Sequence, residues 1–181
     1  MKVYNHKDAH THLQYILRSQ TEDAFIAVFD EVAVHYGEDG GFDINKAKEL
    51  NIPCYNIYRK GGAFVASPND IVYCFCSKNH NMNYNGKLSH FLMKKLLARG
   101  IEVEKVKNDL LAFGKKFLGQ MYIKIDNIAF YGGHISIDCN LNIIQEVCTK
   151  PMEKIPSGLS QYGISTEEVI NWLNEFWFYN K

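Results

Sequence analysis

The stretch NDLLAFGKKFLGQ, residues 108 to 120, brings an amide, a carboxylate and two ammonium groups close together in Asn108, Asp109, Lys115 and Lys116. Two adjacent lysines between Gly114 and Gly119, in otherwise apolar surroundings, admit two readings. They can form the solvated tip of a hairpin, or one of them can turn inward and hold an anionic or polarised group. A carboxylate near phosphates can bind magnesium, and a lysine can neutralise the charge growing on an acyl phosphate. Two more stretches join glycine pairs to polar groups. RKGGAFVASPND (59–70) sets Arg59 and Lys60 before Gly61, Gly62 and Ala63, where backbone N–H groups could approach a phosphate or carboxylate closely. Ordinary hairpins use the same glycine pair. YGGHISID (131–138) places His134 after Gly132 and Gly133, at the entrance to a strand.

Other clusters carry less chemistry. His6, His10 and His12 lie near the start without the glutamate of an HExxH motif, so they are expected as surface histidines. Cys54, Cys74, Cys76, Cys139 and Cys148 are odd in number and scattered. Cys74 and Cys76 alternate on one face of a strand, but no second close pair completes a zinc site, which points to free buried thiols in a reducing compartment.

These groups must be positioned by short strands and a few helices. AFIAVFDEVAVHYGEDGG (24–41) reads as two strands around Asp30–Glu31, and Asp43 caps a helix with Ala47 and Leu50 on its apolar side. Residues 53–76 read as a strand, a tight turn at Gly61–Gly62, a strand, a turn at Ser67–Asp70 and a third strand. A helix follows near 86–99, stopped by Gly100, and IEVEKV alternates as a strand. Two strands joined near Asp126–Asn127, a short helix NLNIIQEVC and an irregular loop 149–163 come next. Ser165 and Glu168 form a capping box for a last helix that buries Val169, Trp172, Leu173 and Phe176. Strands outnumber helices without strict βαβ alternation, so the expectation is a single α+β domain over 1–181 with a mixed, mostly antiparallel sheet.

Twenty basic and twenty acidic side chains cancel, so no global field favours nucleic acid or an anionic membrane, and any polyanion site must be local. No apolar run reaches the roughly 18 residues of a membrane helix, and no secretory leader is evident; a cytoplasmic location is expected.

Taken in order, GGAFVASPND, NDL, GKKFLG, GGHISID and NLNIIQEV resemble the glycine-rich stretch, NDL segment, lysine loop, HGTLL-like strand and following helix of the lipoate–protein ligase and octanoyltransferase family, which is related in fold to biotin–protein ligases. The resemblance runs from about residue 25 to the final helix. It implies acyl transfer of lipoate, or a similar medium-chain acid such as octanoate, to one lysine of a lipoyl carrier domain, on a 2-oxoacid dehydrogenase subunit or a glycine cleavage H protein. In the ligases ATP and magnesium form an acyl-adenylate; the transferases move octanoate from acyl carrier protein without ATP, some through a cysteine. A non-catalytic relative that binds the acyl group or the carrier is a further alternative, and a separate polypeptide carrying the family's accessory domain would be a partner.

By matching, Lys116 resembles the family's active-site lysine, with Lys115 its solvated neighbour. Gly61, Gly62 and Ala63 would line the acyl and phosphate site, and His134 would sit beside it. Asn108 and Asp109 would face nucleotide and magnesium, with Asp109 as the metal ligand. Phe64, Val72 and Ile135 are the expected lining for the acyl tail. The chain departs from the pattern where Arg59–Lys60 replace a serine and a glycine, where Ala66 and Ser67 replace a histidine and an aspartate, and at Gln120. Ser157 stands roughly where a transferase cysteine is expected, with Cys148 upstream.

Overall fold

The computed structural model describes residues 1–37, 41–56 and 63–181. Its main sheet has seven strands in the order β1-β2-β6-β10-β9-β8-β7. These are β1 (Lys2–Asn5), β2 (Asp23–Val28), β6 (Ile71–Ser77), β7 (Val103–Val106), β8 (Asp109–Ala112), β9 (Lys115–Ile125) and β10 (Ile128–Ile135). Only β1 and β2 pair in parallel, joined by helix α1 (His6–Ser19); the other neighbours are antiparallel. A second sheet orders β4 (Cys54–Asn56), β3 (Ala33–Tyr36) and β5 (Phe64–Ala66). The fold is α+β, as composition and patterning indicate.

Alternation along β6 separates the two faces of the main sheet. Ile71, Tyr73 and Phe75 enter the principal core beneath helix α3 (Tyr84–Leu97) and helix α5 (Thr166–Asn180), with Leu88, Leu92, Leu173 and Phe176. Cys74 and Cys76 enter a smaller core on the opposite face, where α1 supplies Ala9 and Ile16. The two thiols share a face, their sulfurs 3.5 Å apart, as period-two alternation requires.

Asp43 and Ser165 cap their helices as expected, and Asn140 supplies a further cap. Asp43 accepts from Lys46 N ahead of α2 (Ile44–Glu49), and Asn140 accepts from Ile143 N ahead of α4 (Leu141–Val147). Ser165 Oγ accepts from Glu168 N, while the Glu168 carboxylate meets Arg99 instead of closing the box. Gly100, at φ 74°, sits in a Schellman turn with Gly100 N to Leu97 O and Ile101 N to Leu96 O.

Four expectations need correction. Strands β4 and β5 do not form a hairpin: β4 pairs in parallel with β3 and β5 antiparallel with it, so they occupy opposite edges of β3. His134 does not stand at the entrance to a strand but near the end of β10, with Gly132 and Gly133 inside the strand. His6 is buried at the start of α1, with Nδ1 3.0 Å from Asp30 and Nε2 3.3 Å from Glu31; His12 is half-buried against Asp23, and only His10 is a surface histidine. Ala47 is buried, but Leu50 ends α2 and is exposed.

Candidate active site

The lysine stretch forms the hairpin between β8 and β9. Phe113 and Gly114, at φ 47° and 74°, make its two-residue turn, matching the I′ geometry that fits strand twist. Lys115 is exposed at the tip. Lys116 turns onto the sheet, its ammonium 3.0 Å from Asp109 Oδ1. A bulge makes this possible. Leu110 opposes Leu118 and Leu111 opposes Lys116, so Phe117 is the extra residue and both Phe117 and Leu118 enter the core. Lys116 and Gly119 therefore share a face although they are three positions apart. A Cβ on Gly119 would meet Lys116 Cε and Nζ at 3.2 Å, so the glycine makes room for the ammonium.

Across the sheet at this level lie Asp109, Gly119, His134 and Val72, each opposite the next. Directly opposed residues stand about 4.5–5.5 Å apart, so the ammonium, the imidazole and the apolar strand residues line one short path. His134 Nε2 is 3.0 Å from Asp70, whose fully buried carboxylate also accepts from the backbone N–H groups of Ser67, Ile137 and Asp138. With Nε2 held by Asp70, the ring of His134 is fixed in orientation. The other ring face stacks on Phe64, centroids 4.3 Å apart, which stacks in turn on His35 and His35 on Tyr55; Phe29 meets this column edge-on. Burial, with the nearby His134 adding to it, pushes His35 down to about 3, so it stands in the column as a neutral ring. The column forms an apolar wall at the end of the path away from Asp109.

A second lysine arrives from the loop after α4. Where β10 ends, residues 155–157 run alongside β9 in its place: Lys116 N donates to Ile155 O and Ser157 N to Lys116 O. This puts Lys154 Nζ 2.5 Å from Asp109 Oδ2 and 3.4 Å from the Val106 carbonyl. Both Asp109 oxygens are thus engaged by ammonium groups. One carboxylate between two lysines suits anionic oxygens better than a divalent cation, and magnesium expected at Asp109 would meet a carboxylate already occupied.

The remaining sequence candidates fall as follows. Gly61 and Gly62, with Arg59 and Lys60, lie outside the described residues. Ala63 is half-buried where the chain enters β5. Asn108 is exposed in the turn before β8, its carbonyl accepting from Gln120 N. Phe64 and Val72 lie by His134, but Ile135 faces the opposite core under α3 and α5. The Gln120 side chain also points there, bonded to Ser89, Tyr73 and the Asn85 carbonyl. Cys148 and Cys139 are half-buried and burial pushes both thiols up, Cys139 to about 11, so neither is primed as a nucleophile. An open groove of about 570 Å³ along Ser67, Pro68, Asp138 and Asn140 is not lined by the lysines. Sequence reasoning missed Lys154, since nothing in an irregular loop shows which strand it will lie against. It also missed the aromatic column, assembled from three separate strands and the residue after β2.

Comparison with known proteins identifies the fold and the family. No curated protein matches by sequence. LipL1 of P. falciparum in complex with lipoate superposes with a TM-score of 0.76 at 17% identity, over 99% of this chain. The chain spans 62% of that protein. A lipoate-protein ligase A bound with ATP matches at 0.73 and 17%, covering 90% of this chain and 75% of that one. A bipartite lipoate protein ligase from T. acidophilum, described with its E2 lipoyl domain, matches at 0.69 and 16%, covering 90% and 74%. The model of the lipoyl protein ligase A/B catalytic domain matches residues 12–176, nearly the whole sequence. The chain belongs to the lipoyl protein ligase A/B catalytic-domain family.

Proposed function

We propose that this chain transfers lipoate, or a similar medium-chain acid, through an acyl-adenylate to a lysine of a lipoyl carrier domain. The observation that carries the proposal is the Lys116 ammonium held over Gly119, in line with His134 and the aromatic wall. An amphipathic acid fits that line: its tail against Phe64 and Val72, its carboxylate toward Lys116. The fixed ammonium offsets negative charge on the acyl oxygen as the carrier amine attacks, without reorganisation at that moment. His134, oriented by Asp70, presents its ring beside the same line. ATP would supply the adenylyl group that turns the carboxylate into a good electrophile. Magnesium would enter on the nucleotide phosphates, not on a preformed site at Asp109. Lipoate, ATP and a lipoyl domain accompany the related structures, which supports this choice over other acyl groups and carriers.

The test is mass-resolved transfer to an apo lipoyl domain, with lipoate and ATP supplied together and each omitted in turn. Transfer should require both, stop with a chelator, and be lost in Lys116→Ala while its circular dichroism stays that of the wild type. Transfer from an acyl carrier protein without ATP would make the chain a transferase, and no transfer under any of these conditions would overturn the proposal.

A further inference from the structure

We infer that Lys154 is the second anion-binding group of this site, taking the phosphoryl oxygens of the acyl phosphate while Lys116 holds the acyl oxygen. The inference rests on the acyl-adenylate function proposed above. Lys154 and Lys116 grip opposite oxygens of Asp109, at 2.5 and 3.0 Å. Their side chains are 19% and 39% exposed and that of Asp109 is 18%, so the cluster carries one excess positive charge in a partly desolvated place. One carboxylate neutralises one of these two ammonium groups, which leaves the other's charge available to an anion. Asp109 and the Val106 carbonyl account for two of the three ammonium donors of Lys154.

The order across the sheet assigns the two lysines different ends of one ligand. From the apolar wall outward come Phe64, Val72 on β6, His134 on β10, Lys116 over Gly119 on β9, Asp109 on β8, and then Lys154 beside the Val106 carbonyl of β7. A ligand with its tail at Phe64 reaches Lys116 first, and only a group beyond its acyl carbon reaches Lys154. A free acid ends before that point, whereas an acyl phosphate does not. Asp109 is then the keeper of both ammoniums, holding them in place until an anion shares them.

Titration calorimetry without metal, using a non-hydrolysable lipoyl-adenylate analogue and free lipoate, tests the inference on wild type, Lys154→Gln and Lys154→Arg. Loss of one charge-assisted contact should weaken the analogue by about 10- to 100-fold in Lys154→Gln, with free lipoate changed less than about threefold. Lys154→Arg should restore most of the analogue's affinity, and Lys115→Gln should leave both ligands unaffected. The salt dependence of analogue binding should also fall in Lys154→Gln. Unchanged analogue affinity, or equal losses for both ligands, would overturn the assignment. If the wild type binds neither ligand, the acyl-adenylate function itself fails. Pyrophosphate then decides the lysine pair: binding lost in Lys154→Gln keeps an anion site, and no binding removes it.

Discussion

Gly119→Ala separates the chemistry of this site from its stability. The added methyl would sit 3.2 Å from Cε and Nζ of Lys116 and 3.5 Å from Asp109 Oδ1. Carbon atoms prefer about 3.5–4.0 Å, so the ammonium must yield by a few tenths of an ångström. It can, because it ends a flexible side chain that is 39% exposed. Removing a glycine from a strand interior also stabilises by about 0.5–1 kcal/mol, so urea unfolding followed by tryptophan fluorescence should show stability unchanged or raised by up to ~1 kcal/mol. Acyl transfer should still fall by about tenfold, roughly 1.4 kcal/mol of barrier, because the cation no longer meets the developing oxyanion squarely. Gly133→Ala is the contrast. Its methyl would lie 2.7 Å from the Gly119 carbonyl oxygen and 2.8 Å from Tyr73 Oη. Tyr73 is fully buried, with its hydroxyl bonded by Gln120, so neither neighbour can yield and overpacking should cost about 1–3 kcal/mol. Wild-type kinetics in Gly119→Ala would refute the role of the ammonium over that glycine. Destabilisation equal to that of Gly133→Ala would show that backbone, not lysine, crowds the position.

Three further outcomes are expected. His35 is held neutral with a value of about 3 against 6.5 for the free side chain. The unfolded chain therefore binds a proton first, and the stability this supplies is complete above about pH 6.5 and lost as pH falls toward 3; near pH 4.5 the loss is at most about 2.7 kcal/mol. His35→Phe, which keeps a ring between Phe64 and Tyr55, should flatten that slope in urea midpoints taken near pH 7 and pH 4.5, and equal losses in both proteins would disprove a buried neutral imidazole. Asp70→Asn leaves the N–H groups of Ser67, Ile137 and Asp138 facing an amide in a fully buried place, so thermal unfolding should reveal a loss of about 3 kcal/mol or more; a shift under 1 kcal/mol would contradict this account. Ser165→Ala removes the N-cap of α5 and should cost about 1 kcal/mol by the same measurement, with lipoate affinity unchanged by calorimetry.

Much of the local structure is legible in the residues themselves. Asp43, Gly100 and Ser165 mark helix ends because capping satisfies backbone groups within a few residues of the cap, and the buried stripe of α5 follows from its spacing. The hairpins at 113–114 and 126–127 are likewise local. What failed was non-local. Strands β4 and β5 read as a hairpin because they are close in sequence, yet β3 stands between them. His6 reads as a surface residue in a polar segment, yet short β1 ties the start of α1 to β2 and carries His6 inward against Phe29.

The two lysines mark the boundary between sequence and tertiary structure most clearly. The sequence determined that an ammonium stands near a glycine-floored strand, and that Asp109 lies across the hairpin from it. Strict alternation back from Gly119 would put Lys115 on the site face and send Lys116 toward the core. The bulge at Phe117 reverses that choice, since burying both Phe117 and Leu118 in the core forces one extra residue into β9. Tertiary structure alone supplied Lys154: β10 stops at Ile135, β9 continues with unpaired backbone groups, and the loop after α4 satisfies them at Lys116. A buried peptide group must find a partner, and it was that requirement, not any motif, that placed the second lysine on Asp109.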